Sequence, residues 1–226
     1  MTAPFYVPPE QLVKDRADFA RKGISRGRAI VVAQANEGIL LIGENASPTL
    51  RKIGEVYDRI AFAGVGRFNE FETLRVAGVR YADLRGYSYA RADVTGKGLA
   101  NAYSQTLGQI FSHEVKPYEV DIVVAEVGLS SSEDHLFHIQ FDGTLRDAEG
   151  LAVLGSDEET IADSMVDKHG PDVPVQVALG AACAAIQEAS GYPIDTDSWE
   201  TGLLDRTAER RTFRRLTVAE IAAARG

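Results

Sequence analysis

Cysteine is almost missing: the 226 residues contain only Cys183. That excludes internal disulfides and paired-cysteine metal sites. Long apolar runs are missing too, and nothing approaches the roughly eighteen uninterrupted apolar residues that a membrane helix needs. The N-terminal stretch MTAPFYVPPEQLVKDRADFARKG has no apolar core of the signal-peptide kind. Positive charge is in deficit: 24 Lys and Arg face 33 Asp and Glu, for a net charge of −9. This argues against nucleic acid or an acidic membrane as a partner. Internal repeats, low-complexity segments and linkers are also lacking, so one domain over residues 1–226 is expected. What remains is a cytoplasmic globular protein with 45% hydrophobic and 25% charged residues, ordinary proportions for that class.

Recognisable catalytic signatures are equally scarce. No GxSxG elbow surrounds any serine, and Ser130–Ser132 in GLSSSEDH reads as a solvated turn. His135 and His138 are three apart in a strand, so they face opposite sides and cannot share a metal. His113 and His169 have no neighbouring ligands in sequence. Cys183 lies among small apolar residues in VALGAACAAI and reads as a buried, inert thiol. AGVGRFNEF, with Gly64 and Gly66, begins like a dinucleotide fingerprint, and Asp83 follows Gly64 by nineteen residues. Asn69 replaces its third glycine and the strands before it form a hairpin, so a close-packed turn is the better reading. No nucleophile is found with a base, no metal site is expected, and no cofactor is implied.

Strands and helices are present in blocks. PPEQLVKDRADFARKGI predicts a helix opened by prolines, with Leu12, Val13, Ala17 and Phe19 near one face and Gly23 as its stop. Ala29–Ala35 and Ile39–Ile42, joined by Asn36-Glu37-Gly38, predict a hairpin. RIAFAGVG predicts a buried strand. Helices are expected over about Arg67–Tyr87 and Thr95–Glu114, the second with Leu99, Tyr103, Leu107 and Phe111 at steps of four. VDIVVAEVG, HLFHIQFDGTLRDAEG and LAVLG predict strands, with a sharp turn at Asp142-Gly143. Helices over roughly Ser156–His169 and Pro174–Ser190 follow. Strands near Trp199–Leu204 and Phe213–Leu216 then lead to a short alanine-rich helix. This order does not alternate as βαβ. It predicts an α+β fold in which two antiparallel sheets lie between two helix layers.

Within that frame, ENASPTLRKIGEVYDRIAFAGVGRFNEFETL, Glu44–Leu74, reads as a strand end, an exposed stretch with a basic pair, a turn, an apolar strand and a glycine-marked helix start. A lysine in such a pair, Lys52, is ordinarily a solvated charge. The same stretch, extended to Tyr89, most specifically resembles the α-type subunits of the proteasome core particle in their actinobacterial form. PPEQLVKDRADFARKGI, VTGKGLANAYSQTLGQIF and KPYEVDIVVAEVG carry the resemblance further, to about Phe5–Leu216.

The resemblance implies the four-layer αββα sandwich of N-terminal-nucleophile hydrolases, with residues 1–23 as a gate segment and helix and 24–226 as the sandwich. Active members of that fold use an N-terminal threonine with an acid and a lysine. The alignment puts Arg28 at the threonine's position and Glu44 near that of the acid. Arginine stays protonated and cannot serve as the nucleophile, so the implied chain is non-catalytic. A stand-alone amidohydrolase of the same fold, autoprocessed in this region before Ser25, is the alternative. The resemblance further implies a homo-heptameric α ring capping rings of catalytic β subunits. It also implies an AAA ATPase activator docked by its C-terminal tail, and substrates tagged with a small protein modifier. Lys52 would pair with the tail carboxylate in a pocket between neighbours, beside Gly66 and Arg67 at a helix start. Met1, Thr2, Ala3, Pro4, Phe5, Tyr6, Val7, Pro8 and Pro9 would form the gate. Ser112, His113, Glu114 and Val115 would line the axial channel, although a helix end before Lys116-Pro117 accounts for them locally.

Overall fold

The computed structural model describes residues 8–47, 49–209 and 211–225. Pro9, at the first position of helix α1 (Pro9–Ile24), brings a backbone angle suited to a helix start. Strands β1 (Ile30–Ala35) and β2 (Gly38–Glu44) form the expected hairpin, with Ile30 opposite Gly43 and Ala35 opposite Gly38. After them come β3 (Ile53–Tyr57), β4 (Ile60–Gly66), α2 (Phe68–Ser88), α3 (Gly96–His113), β5 (Val120–Glu126), β6 (His135–Ile139), β7 (Leu145–Ala148) and β8 (Leu151–Leu154). The chain closes with α4 (Glu158–Ser164), α5 (Val175–Ser190), β9 (Trp199–Asp205), β10 (Phe213–Arg214) and α6 (Val218–Arg225).

The strands form two antiparallel five-stranded sheets, ordered β10-β9-β2-β1-β8 and β3-β4-β5-β6-β7. The strand period of two sorts each hairpin residue to a layer. Ile30, Val32 and Leu41 point between the sheets and meet Ala63, Val65 and Val123 of the other sheet. Val31, Ala33 and Leu40 point outward and are covered by Ala178, Leu179 and Ala182 of α5 and Ile221 of α6. On the far side, Phe62 and Ile122 are covered by Phe71 and Leu74 of α2 and Leu99 and Leu107 of α3. Burying each such large side chain is worth about 1.5–3 kcal/mol. The result is the four-layer αββα sandwich.

Several expectations need correction. Ile53–Tyr57 is a full strand, which the basic pair before it and the alternating polar residues within it disguise. The helix expected over Ser156–His169 is only Glu158–Ser164. Asp157 and Asp167 take left-handed backbone angles, φ 56° and 60°, which interrupt a helix at both sides. Gly23 does not stop α1, which runs on to Ile24. A Cβ at Gly23 would lie 2.1 Å from the Glu119 carboxylate, so glycine serves close packing there. On α1 the docked residues are Ala20 and Ile24, with Ala17 packed beside them. Leu12, Val13 and Phe19 stand about half exposed. The last strand is shorter than expected, Phe213–Arg214.

Candidate functional site

Arg28, Glu44, Lys52 and Gly66 come together at one end of the sandwich. Arg28 lies two residues before the start of β1, and its guanidinium forms an ion pair with Glu44 at the end of β2. Glu44 is buried, and its other oxygen accepts a 2.8 Å hydrogen bond from the Tyr192 hydroxyl, which in turn lies 3.1 Å from Arg28. The acid therefore has its charge and both oxygens engaged. Ser25 caps α1, and its hydroxyl donates to the Lys22 carbonyl at 3.3 Å.

Lys52 enters β3 and is half-buried. Its ammonium donates to the Glu44 carbonyl at 3.2 Å. Burial lowers its pKa to about 8. Attraction from Glu200 partly offsets this, and repulsion from Arg28 adds to it. A cavity of about 340 Å³ opens beside it, lined by Lys52, Gly66, Arg26, Leu50, Phe68 and Phe71 among others. Gly66 has φ 112°, and a Cβ there would sit 1.9 Å from the Glu119 carbonyl. Glycine is thus required for the turn from β4 into α2, which accounts for the glycine pattern without a nucleotide. The α2 start adds a partial positive charge, and its cap has no side-chain hydrogen bond. Cationic, amide and aromatic surfaces thus meet in one recess. Such a set has the chemistry to accept a carboxylate carried on an apolar chain end.

Arg67 does not line this cavity. Its guanidinium lies 3.5 Å from Glu119 and 4.0 Å from Glu70. Ser112 and His113 end α3, Glu114 caps it, and Val115 is 97% exposed. Arg16 of α1 donates to the Glu114 carbonyl at 2.5 Å, so this segment is held under α1. Pro8 and Pro9 of the gate segment are described at the α1 start, whereas Met1–Val7 lie outside the described residues. His138 faces Asp121 at 2.7 Å while His135 stacks on Phe137, on opposite faces as expected. Cys183 is buried, and burial pushes its pKa up to about 11.

Sequence reading missed Glu200, the residue that positions Lys52. From β9 its carboxylate, only 1% exposed, accepts the backbone N–H groups of Lys52 (3.0 Å) and Ile53 (3.1 Å). It also accepts the Asn45 amide at 2.5 Å and Arg215 at 3.2 Å. It ties one sheet to the other at the mouth of the cavity. An acid in an otherwise apolar strand, WETGLLD, was the available signal.

A four-layer αββα sandwich of two five-stranded antiparallel sheets is the architecture of the N-terminal-nucleophile hydrolase class. The family model described as "Proteasome subunit" matches residues 24–198. "Proteasome subunit alpha" of Thermomonospora curvata is 50% identical over 222 residues, 98% of this chain and 96% of that one. Its counterpart in Kineococcus radiotolerans is 52% identical over 225 residues, 96% of this chain and 95% of that one. The protein of the same name in Acidothermus cellulolyticus is 52% identical over 226 residues, 98% and 97% of the two chains. The chain belongs to the proteasome subunit family, among its alpha-type members.

Proposed function

We propose that this chain is a non-catalytic ring subunit of a proteasome core. In this reading it forms homo-heptameric α rings on β rings, controls passage of substrates and docks an AAA ATPase activator by its C-terminal tail. The observation that carries the non-catalytic reading is Arg28. It lies where the family resemblance puts the nucleophile, and its charge is taken up by Glu44. The peptide ahead of it continues into α1, so no free amine is available there. At Ser25, the residue on which the autoprocessed amidohydrolase would depend, the hydroxyl donates to the Lys22 carbonyl of α1, and no base is hydrogen-bonded to it among the described residues. No described helix is long and apolar enough to cross a membrane, in keeping with a cytoplasmic particle.

Docking is supported by the Lys52 recess. An ammonium seated at a helix start and walled by Leu50, Phe68 and Phe71 suits a C-terminal carboxylate preceded by apolar side chains. The gate reading rests on an uncharged run, MTAPFYV, ahead of Pro8-Pro9. Ser112–Val115 are the proposed channel lining, and the exposure of Val115 supports that part.

Two results are expected. The purified chain hydrolyses no peptide, and activity appears only with a β partner and vanishes when the β nucleophile is replaced. Peptidase activity surviving in that mutant particle would overturn the non-catalytic reading. Deleting residues 1–7 speeds hydrolysis of unfolded protein by the assembled particle. Equal rates for intact and shortened particles would remove the gate.

A further inference from the structure

Lys52 stands apart from the other lysines of the chain. Lys14, Lys22, Lys97 and Lys168 are exposed to solvent. Lys116 is pinned between Glu70 at 2.6 Å and Glu119 at 2.9 Å. Lys52 is half-buried, and its ammonium meets only the Glu44 carbonyl, at 3.2 Å, among the described residues. Arg26, Arg28 and Lys52 line the recess of about 340 Å³, and among the described residues no acid lines it. Glu44 pairs with Arg28 from behind. Glu200 engages the backbone of Lys52 and the Arg215 guanidinium rather than the ammonium. Arg26 is exposed and has no carboxylate partner among the described residues. Helix α2 starts at the same recess through Phe68, with no side-chain cap on its first turn. The N–H groups of such a turn have no helix partners and favour an anion.

We infer that Lys52 is a site of acylation by a small acyl phosphate, with Arg26 and the α2 start holding the phosphate group. The Nζ lone pair attacks the acyl carbon. The acyl C–O bond breaks, inorganic phosphate leaves with the bonding pair, and the nitrogen loses a proton to water. An amide forms, and nothing is oxidised or reduced. An attacking amine must first be unprotonated. Burial, opposed by Glu200 and aided by Arg28, lowers the Lys52 pKa to about 8. About a quarter of it is then free amine near pH 7.5, against about a thousandth of an ordinary lysine. Cations around the amine disfavour its charged form and also attract the phosphate. The amide is neutral, so acylation removes the partner of a tail carboxylate. That consequence rests on the docking reading above; the modification itself does not.

Acetyl phosphate tests the inference on the full chain co-purified with a β partner, with every lysine followed by peptide mass spectrometry. Lys52 should be acetylated about ten-fold or more faster than the four exposed lysines, because its lower basicity offsets only part of the larger free-amine fraction. Its rate should rise with pH and level off above a pKa of about 8. Arg26→Ala should slow this reaction about five-fold or more, by loss of a charge-assisted phosphate contact. The same variant should react nearly as wild type with a neutral N-hydroxysuccinimide ester of acetate. Lys52 acetylated no faster than the exposed lysines would overturn the inference, as would equal effects of Arg26→Ala on both reagents. Acetylated particles should also bind an activator's C-terminal peptide about ten-fold or more weakly. Selective acetylation with unchanged peptide binding would sink the docking reading and leave the acylation site standing. Absence of selective acetylation, together with weaker peptide binding by Lys52→Ala, would do the reverse.

Discussion

Lys52→Ala particles should bind an activator's C-terminal peptide about ten- to a hundred-fold more weakly than wild type, since a charge-assisted contact is worth roughly 1.5–3 kcal/mol. Binding of a whole activator ring should fall further, because several pockets act together. Basal peptidase activity and the fold should change little, since burial already disfavours the charge that is removed. The sign of the pH effect follows from the lowered pKa of about 8. Below that pH the lysine is charged before the carboxylate arrives, and affinity is flat. Above it, a proton must be taken up on binding, so affinity falls as pH rises until the raised pKa of the bound lysine is reached. Calorimetric titration of the peptide at several pH values checks both points. Equal binding to wild-type and Lys52→Ala particles would make Lys52 a surface charge and end the docking reading.

Asp134→Ala should be the more damaging change to the fold. Asp134 lies just before β6, and Arg206 just after β9, so their pair joins the two sheets at the end remote from Lys52. It is bidentate, at 2.7 and 2.8 Å, with side-chain exposures of only 3% and 13%. The carboxylate also accepts the Gly128 N–H at 2.9 Å and the Gln34 amide at 3.0 Å. Removing it strands a largely buried guanidinium and two donors, a loss of about 3–5 kcal/mol. For a chain of this size that corresponds to a melting temperature lower by roughly 6–20 °C. Thermal unfolding of the isolated chain measures it. A shift within a degree or two would mean that the clamp is dispensable.

The α+β class, the helix–strand order, the first hairpin and the burial of Cys183 were legible in the sequence. Each depends on local periodicity, turn chemistry or composition, which neighbouring residues carry. Lys52 and Gly66 were legible through the family resemblance. The structure brings them to one recess while turning Arg67 toward Glu119 and Glu70. β3 was not legible, because an edge strand open to solvent on one side mixes polar residues with Ile53 and Val56.

Through two periods, 2.0 along the strands and 3.6 along the helices, the sequence by itself determined most of the buried faces, with α1 and β3 as the exceptions. It also determined that Arg28 stands ahead of the first hairpin strand. Tertiary structure alone decided the partners of the buried charges. Glu200 is 148 residues from Lys52, and Asp134 is 72 from Arg206. No local pattern links residues so far apart; the stacking of two sheets does. The same stacking brings β3 against β9, strands far apart in the chain. A buried carboxylate must find donors wherever the fold supplies them, because leaving it unpaired costs more than the fold can spare.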